Sequence, residues 1–447
     1  MRILHYFLGF PPYRTGGLTK YAYDLMLAQK DRGDDVMALW PGTMLKIGGK
    51  PRIKKKHSMN AIVNYELVNP LPVPLDEGIC EFGLYCKPCD IQTYLDFLSS
   101  IRPDIIHIHT LMGLHEEFID AANQLSIQTI FTSHDYFGIC PKVTLFRYGS
   151  ACREDHGCAD CIQCNLSALS MKKIEIMQSP FYRFLKDSWL VKKIRRSHRQ
   201  QFFGQTEIPE MPELDVEAYA EKYRNLRAYY IRMLEKMSCI HFNSSVSENI
   251  YLRYMTPRKS LLMNITHKNI TDMRKNPWQK GDKLRLVYLS PINLPKGYFF
   301  LKKALDELWE EGQRFFSLRL FSDVPERSPY MIVEENGYQY EELPSIFSEA
   351  DLLLAPSIWY ETFGFTVLEA ISYATPVIIS DRVGAQDIIG EGGMIIKAGS
   401  VEALKEAVLK MSEEHIVYRR RIKESAPLME WSDFIDRNYK VYNDENI

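Results

Sequence analysis

Twice along the chain, short apolar runs alternate with amphipathic helical stretches, and that rhythm constrains the fold more than any other feature of the sequence. Strands joined by helical crossovers pair in parallel, with helices covering both faces of the sheet. The first series places strands at 2–7, 36–40, 104–109 and 127–133, with helical patterns at 18–32 and 89–100. Residues 140–236 break the rhythm with a cysteine-rich loop and polar helical segments at about 168–199 and 216–236. It resumes with a strand at 239–243 and a helix at 246–254. At 275–283 the composition shifts to Lys-Asn-Pro-Trp-Gln-Lys-Gly-Asp-Lys, an interdomain linker. The second series has strands at 284–290, 317–321, 352–355, 377–380 and 394–396, and helices near 297–311, 342–350, 364–374 and 401–412. A last helical segment runs from about 415 to 443, and 46–57, with Lys54, Lys55 and Lys56, reads as a basic loop. The expected fold class is α/β: two tandem Rossmann-like, doubly wound domains facing a cleft, with a Cys-rich and helical insertion in the first. The expected limits are 1–272, 273–425 and a C-terminal helix at 426–447.

Charge narrows the partners. Lys and Arg number 55 against 57 Asp and Glu, a net charge of −2, so no nucleic acid is expected as a partner. No run approaches the ~20 apolar residues that span a bilayer, and the opening Met-Arg-Ile-Leu-His-Tyr-Phe lacks the apolar core of an export signal. The expected location is cytoplasmic, where the nine cysteines serve as thiols or metal ligands rather than disulfides.

The sharpest motif is Glu361-Thr-Phe-Gly-Phe-Thr-Val-Leu-Glu369. Its first carboxylate ends a strand and loop; its second lies one to two turns into a helix. Ligands of open α/β sheets bind beyond the carboxyl ends of strands, where a helix N-terminus offers free amides to phosphate. Glu361 can then reach sugar hydroxyls, amides near Phe363 and Gly364 can face a diphosphate, and Glu369 can accept from a ribose diol. The bare spacing also fits an amphipathic helix with two solvated glutamates; the strand, the Phe-Gly and the helix around it favour the site.

With these residues the sequence resembles family 4 of the retaining GT-B-fold glycosyltransferases, the glycogen-synthase-like and mannosyltransferase-like group. The likeness extends to the Gly16-Gly17 loop, to Asp104-Ile-Ile-His-Ile-His109, to Thr132-Ser-His134-Asp, to Leu294-Pro-Lys296-Gly297 and to the strand ending at Pro356. It implies transfer of a hexosyl unit from a nucleotide-diphosphate sugar to a saccharide or lipid-linked saccharide, in bacterial surface polysaccharide synthesis. It implies catalytic roles for His134, Lys296 and Glu361, and donor contacts from Gly16, Gly17, Thr362, Phe363, Gly364, Phe365 and Glu369. His109 and Asn293 are further candidates. No cofactor is implied for catalysis, and the chain has no Asp-x-Asp of the metal-dependent kind. The last helix is implied to cross back onto the first domain. One departure stands out: the family's Arg five residues before the Lys is here Pro291.

Two other features stand beside that reading. Cys140, Cys152, Cys161 and Cys164, with Cys158 or His156 as substitutes, have spacings that suit a structural zinc; reduced thiols packed in a loop, or an iron–sulfur cluster, are the alternatives. Cys80, Cys86 and Cys89 form a second partial set. Basic residues at 192–199, following Trp189, suit either a solvated helix face or peripheral contact with the inner face of the plasma membrane. His107 and His109 share a strand face that spacing does not identify as cleft or core; His5 is expected in the core. Two other functions fit the same fold: a nucleotide-sugar epimerase, or a non-catalytic scaffold for a partner transferase.

Overall fold

The structure is a computed structural model and describes residues 1–189, 191, 193, 209–211, 213–425 and 428–444. Its strands are, in chain order, β1 (Arg2–Tyr6), β2 (Asp35–Pro41), β3 (Arg52–Met59), β4 (Ile62–Val68), β5 (Ile105–Ile108), β6 (Gln128–Thr132), β7 (Phe146–Arg147), β8 (Ser150–Ala151), β9 (Cys239–Phe242) and β10 (Ser260–Leu262). They continue with β11 (Leu284–Tyr288), β12 (Phe316–Leu320), β13 (Met331–Val333), β14 (Leu352–Ala355), β15 (Val377–Ser380) and β16 (Gly393–Ile396).

The chain builds two Rossmann-like sheets. The first has eight strands in the order β10-β9-β6-β5-β1-β2-β4-β3, parallel except for the β3–β4 pair. The second has six in the order β13-β12-β11-β14-β15-β16, all parallel. A small hairpin, β7–β8, sits in the insertion. Near-continuous apolar strands such as Leu-Leu-Leu-Ala and Val-Ile-Ile-Ser are buried along their whole length, as strands covered on both faces must be. Strand order reverses beside β1 in one sheet and beside β11 in the other. Each reversal opens a crevice at the strand's carboxyl end. The glycine loop at 16–17 follows β1, and the turn carrying Lys296 follows β11.

Two local expectations are corrected. The basic loop expected at 46–57 is largely β3, an antiparallel edge strand spanning Arg52–Met59. Its side chains are mostly exposed, so no apolar alternation betrays it, and consecutive lysines suit an edge that must resist pairing with another chain. The helix break expected after 412 is also absent. One helix runs through Val401–Glu424 and a second covers Trp431–Tyr442. Nothing between 412 and 415 disfavours helix, whereas Pro427 lies just past the observed end.

The final helix, Trp431–Tyr442, packs on the first sheet. Gln29 donates to the Tyr442 hydroxyl at 2.9 Å, and His107 Nδ1 lies 2.7 Å from the same oxygen. Phe434, Ile435 and Tyr442 share one buried cluster with Ile3, Tyr21 and Ile105 of the first lobe and Phe363 and Leu368 of the second. That cluster ties the lobes together. Among the described residues no helix is long and apolar enough to cross a membrane. The basic segment at 192–199 lies, except for Lys193, outside the described residues.

Candidate active site

Lys296 is delivered by a turn whose geometry only glycine permits. Gly297 has φ of 81°, and a Cβ there would stand 2.1 Å from the Pro356 carbonyl oxygen. The close approach lets the turn pack on the end of β14, and Ile358 N donates to Pro295 O at 2.8 Å. Asn293 closes the turn by accepting from Lys296 N at 2.9 Å. Gly297→Ala is therefore expected to combine left-handed strain with a backbone clash, costing about 2 kcal/mol or more. The check is a thermal melt; an unchanged midpoint would show that the turn can move.

Lys296 and Glu361 meet in the cleft. Nζ lies 2.5 Å from Glu361 Oε1, and each side chain keeps 18% exposure. Ser357 donates to the other carboxylate oxygen at 2.7 Å. Burial pushes the Glu361 carboxyl up, but Lys296 and the Ser357 hydroxyl outweigh it and hold it below the usual carboxylate range. The Glu361 carboxyl is therefore ionised at neutral pH. The Lys296 ammonium also sits 5.1 Å from the Trp359 ring centre.

The segment after Glu361 is clamped to the first lobe. Thr362 Oγ1 donates to His134 O at 3.2 Å, and Ser244 Oγ donates to Thr362 O at 2.5 Å. Phe363 buries its ring in the cluster between the lobes, so only its backbone can face a ligand. Gly364 caps the helix Phe365–Ser372 at φ of 110°. Phe365 reaches across the cleft, its ring 3.6 Å from where a Cβ on Gly17 would stand. Gly16, at φ of 118°, faces open space. Phe365 thus links the Gly17 loop to the segment that carries Glu361, and a Cβ on Gly364 would stand 3.8 Å from the Glu361 carboxyl carbon.

Glu369 lies on the same helix, 6% exposed. Oε1 is 3.6 Å from His267 Nε2, while Oε2 is buried with no hydrogen-bond partner among the described residues. A carboxylate oxygen in that state is costly unless a ligand completes it. His267 precedes the linker and carried no signal in the sequence.

His134 ends a file of histidines. Its Nε2 is 3.3 Å from His109 Nδ1, and His109 Nε2 is 3.0 Å from His5 Nδ1. Desolvation, with a smaller contribution from His241, lowers the His134 pKa to about 3, so at neutral pH it is an uncharged hydrogen-bonding group. His109 lies one step behind it, fully buried. Beside it, burial raises Asp135 to about 6 against the amide of Phe137 and the Thr110 hydroxyl. Sequence reasoning passed over Asp135, and also Arg253 and Arg382, whose guanidinium carbons lie 5.9 and 5.4 Å from the Tyr360 ring. No spacing links either arginine to Glu361, yet both lie against the residue before it.

The expected zinc ligands do not form one tight group. Among the described residues the close sets are Asp155, Cys158 and Cys161, and His5, His107 and His109. Cys140, Cys152, Cys161 and Cys164 instead line a single small cavity. Cys80, Cys86 and Cys89 are free thiols, Cys86 and Cys89 at the edge of the first core and Cys80 exposed.

Residues 333–429, which hold β14, Glu361 and Glu369, match the family described as Glycosyl transferases group 1. The chain is 29% identical over 136 residues to the uncharacterized 41.2 kDa protein in the cps region of Klebsiella pneumoniae, covering 29% of this chain and 37% of that one. It is 28% identical over 112 residues to O-antigen chain mannosyltransferase B of Escherichia coli, covering 24% and 26%. The alignments thus span well under two thirds of these relatives. The structure is similar over 99% of this chain and 100% of the other to HepE of Anabaena in complex with UDP, with a TM-score of 0.56 and 11% identity. That likeness shows the fold, the GT-B arrangement of two Rossmann-like lobes.

Proposed function

We propose that the protein is a retaining glycosyltransferase that moves a hexosyl unit from a nucleotide-diphosphate sugar to a saccharide or lipid-linked saccharide acceptor. The observation that carries this reading is the Lys296–Glu361 ion pair, eight residues before Glu369, whose buried Oε2 has no hydrogen-bond partner among the described residues. A cation, a sugar-orienting carboxylate and a diol acceptor then line up along one donor. The match of 333–429 to group 1 glycosyl transferases supports it, as do an O-antigen mannosyltransferase among the relatives and UDP in the HepE structure. Bacterial surface polysaccharide synthesis is the setting that these names favour.

In this scheme the nucleoside diphosphate binds the second lobe. Glu369 Oε2 accepts from the ribose diol. Amides at the N-terminus of the helix Phe365–Ser372 face the diphosphate. As the bond from the anomeric carbon to phosphate breaks, negative charge grows on the leaving oxygen and Lys296 stabilises it without reorganising. Glu361, held by Lys296 and Ser357, orients the sugar hydroxyls. Neutral His134, fixed by His109, presents its ring to the sugar from the first lobe, while the acceptor hydroxyl enters from the Gly16 side. Lys296 and helix ends carry the charge that a divalent cation would otherwise carry. The protein is placed in the cytoplasm, at the inner face of the membrane where the acceptor is lipid-linked.

The direct test is a panel of nucleotide sugars, with nucleotide release measured in the presence and absence of saccharide acceptors. Acceptor-dependent release supports transfer; free nucleotide released without an acceptor, with epimerised sugar, would favour the epimerase instead. Glu369 gives a sharper check. A charge-assisted hydrogen bond is worth about 1.5–3 kcal/mol, so Glu369→Ala should weaken binding of the preferred nucleoside diphosphate by about tenfold or more. It should also abolish discrimination between the ribo- and deoxyribonucleotide. Retained discrimination would take the ribose away from Glu369.

A further inference from the structure

Histidines from three strands of the first lobe meet on one face of its sheet. His5 on β1 stands in register with His107 on β5, and Thr132 on β6 with His241 on β9. His109 lies two residues beyond His107 and so shares its face. His5, His107, His109 and His241 are buried, and both ring nitrogens of each have a neutral hydrogen-bond partner. No nitrogen of the close set His5, His107 and His109 is therefore left for a metal ion.

A neutral imidazole donates through one nitrogen and accepts through the other, so a chain of such rings has a direction. One backbone carbonyl sets it. Met263 O can only accept, so His241 Nε2, 2.7 Å away, carries the proton. His241 Nδ1 then accepts from Thr132 Oγ1 at 3.0 Å, and that oxygen, its one proton committed, accepts from His107 Nε2 at 2.7 Å. His107 Nδ1 accepts from the Tyr442 hydroxyl at 2.7 Å, which in turn accepts from Gln29 Nε2 at 2.9 Å. This orients the Gln29 amide, whose Oε1 accepts from His5 Nε2 at 2.7 Å. His5 Nδ1 accepts from His109 Nε2 at 3.0 Å, and His109 Nδ1 from His134 Nε2 at 3.3 Å.

The opposite direction fails at the anchor. With the Gln29 amide turned over, Tyr442 donates to Gln29, His107 Nδ1 to Tyr442, and Thr132 to His107 Nε2. His241 Nδ1 must then donate to Thr132 while its Nε2 donates to Met263. That makes an imidazolium, 1% exposed, whose two partners are both neutral. Burial opposes such a charge.

We propose that Gln29 and Tyr442 are positioning residues: through them the Met263 carbonyl fixes His134 as the Nε2–H tautomer, leaving Nδ1 as a lone pair that accepts from a hydroxyl of the donor sugar. His134 is the one ring of the file that keeps partial exposure, and its Nδ1 has no partner among the described residues. Thr362 donates to its carbonyl, which seats it where the segment bearing Glu361 meets the first lobe. A nitrogen that can only accept turns away phosphate oxygens, so it reads the sugar rather than the diphosphate. The sugar contact rests on the glycosyltransferase reading above; the tautomer does not.

The test is nitrogen NMR of the full chain carrying ¹⁵N-labelled histidine, at neutral pH and without ligand, with resonances assigned by single histidine substitutions. His5, His107, His109, His134 and His241 should each be neutral, with Nε2–H exceeding the other tautomer by at least about tenfold. Gln29→Met removes the link between the two halves of the chain. His107 and His241, still anchored by Met263, should keep Nε2–H, while His134 becomes a mixture of both tautomers. Tyr442→Phe, which deletes only the oxygen between Gln29 and His107, should have the same effect on His134. A merely structural role would disturb all five rings alike. Adding the preferred nucleotide sugar should shift the His134 Nδ1 resonance, and the nucleoside diphosphate alone should not. A proton on His134 Nδ1, an imidazolium among the five, a His134 tautomer unmoved in both variants, or an Nδ1 shifted equally by nucleoside diphosphate would each overturn the proposal. The assigned tautomers with no nucleotide sugar bound would uphold the hydrogen-bond chain and count against the glycosyltransferase reading instead.

Discussion

Glu361→Gln is expected to cut nucleotide release to the acceptor by at least about a hundredfold while leaving the fold in place. The amide keeps the shape of the carboxylate and can still accept from Ser357, which now sits 2.7 Å from Oε2. What it removes is the charge that holds Lys296 at 2.5 Å. The ammonium then loses both its position and its counter-charge, and a misplaced donor no longer meets the leaving diphosphate where charge develops. Removing one preorganised donor costs roughly 10²–10³ in rate. Lys296→Ala should therefore fall in the same range, and because both residues serve one pair, the double variant should lose little more than the worse single. Steady-state release assays on the three variants decide the matter, with circular dichroism to confirm folding. Turnover within threefold of the parent protein in Glu361→Gln would remove the pair from the chemistry, whatever the fold.

Much of that pair was legible before any coordinates. The apolar run ending at Ala355, the Phe-Gly after Glu361 and the helix carrying Glu369 are local signals, and so is the glycine following Lys296. What brings them together is not local. The Lys296 turn reaches Glu361 only because Gly297 lets its backbone touch Pro356, a contact 59 residues away in sequence that no periodicity reports. His267, Arg253 and Arg382 enter the site from segments with no motif. The strand 52–59 hid behind lysines because an exposed edge carries no apolar alternation. The cysteine spacing named the four thiols but not their shared cavity, which depends on a hairpin and a helix folding against Arg227. Signals confined to one turn or one strand survive in the sequence; those made by closing long loops do not.

The same distinction governs the buried histidines, whose effect should be the largest on stability. His5 on β1 stands in register with His107 on β5, and His109 follows two residues on. His241 shares Thr132 with His107 at 3.0 and 2.7 Å, and His134 ends the file. Burial holds His5 and His241 at about 4 and His134 at about 3, and keeps His107 and His109 well below the ordinary histidine value. His115, apart from the file and bonded to Tyr94 at 2.7 Å, is held at about 3 by burial. Each of the six is neutral in the folded chain and takes a proton near pH 6.5 when unfolded. Between about pH 6.5 and 4 the unfolded state therefore binds more protons, and stability falls as pH falls. Each histidine can contribute about 1.4 kcal/mol per pH unit in that window, against a total stability of about 5–15 kcal/mol. Asp135, raised to about 6, acts in the opposite sense but is a single group. We expect the thermal midpoint to drop by about 10 °C or more between pH 7 and pH 5, with uptake of several protons on unfolding at pH 5.5. His115→Asn should reduce that uptake by about one proton without touching the cleft. A midpoint flat from pH 7 to pH 5 would mean that the file takes up protons without unfolding.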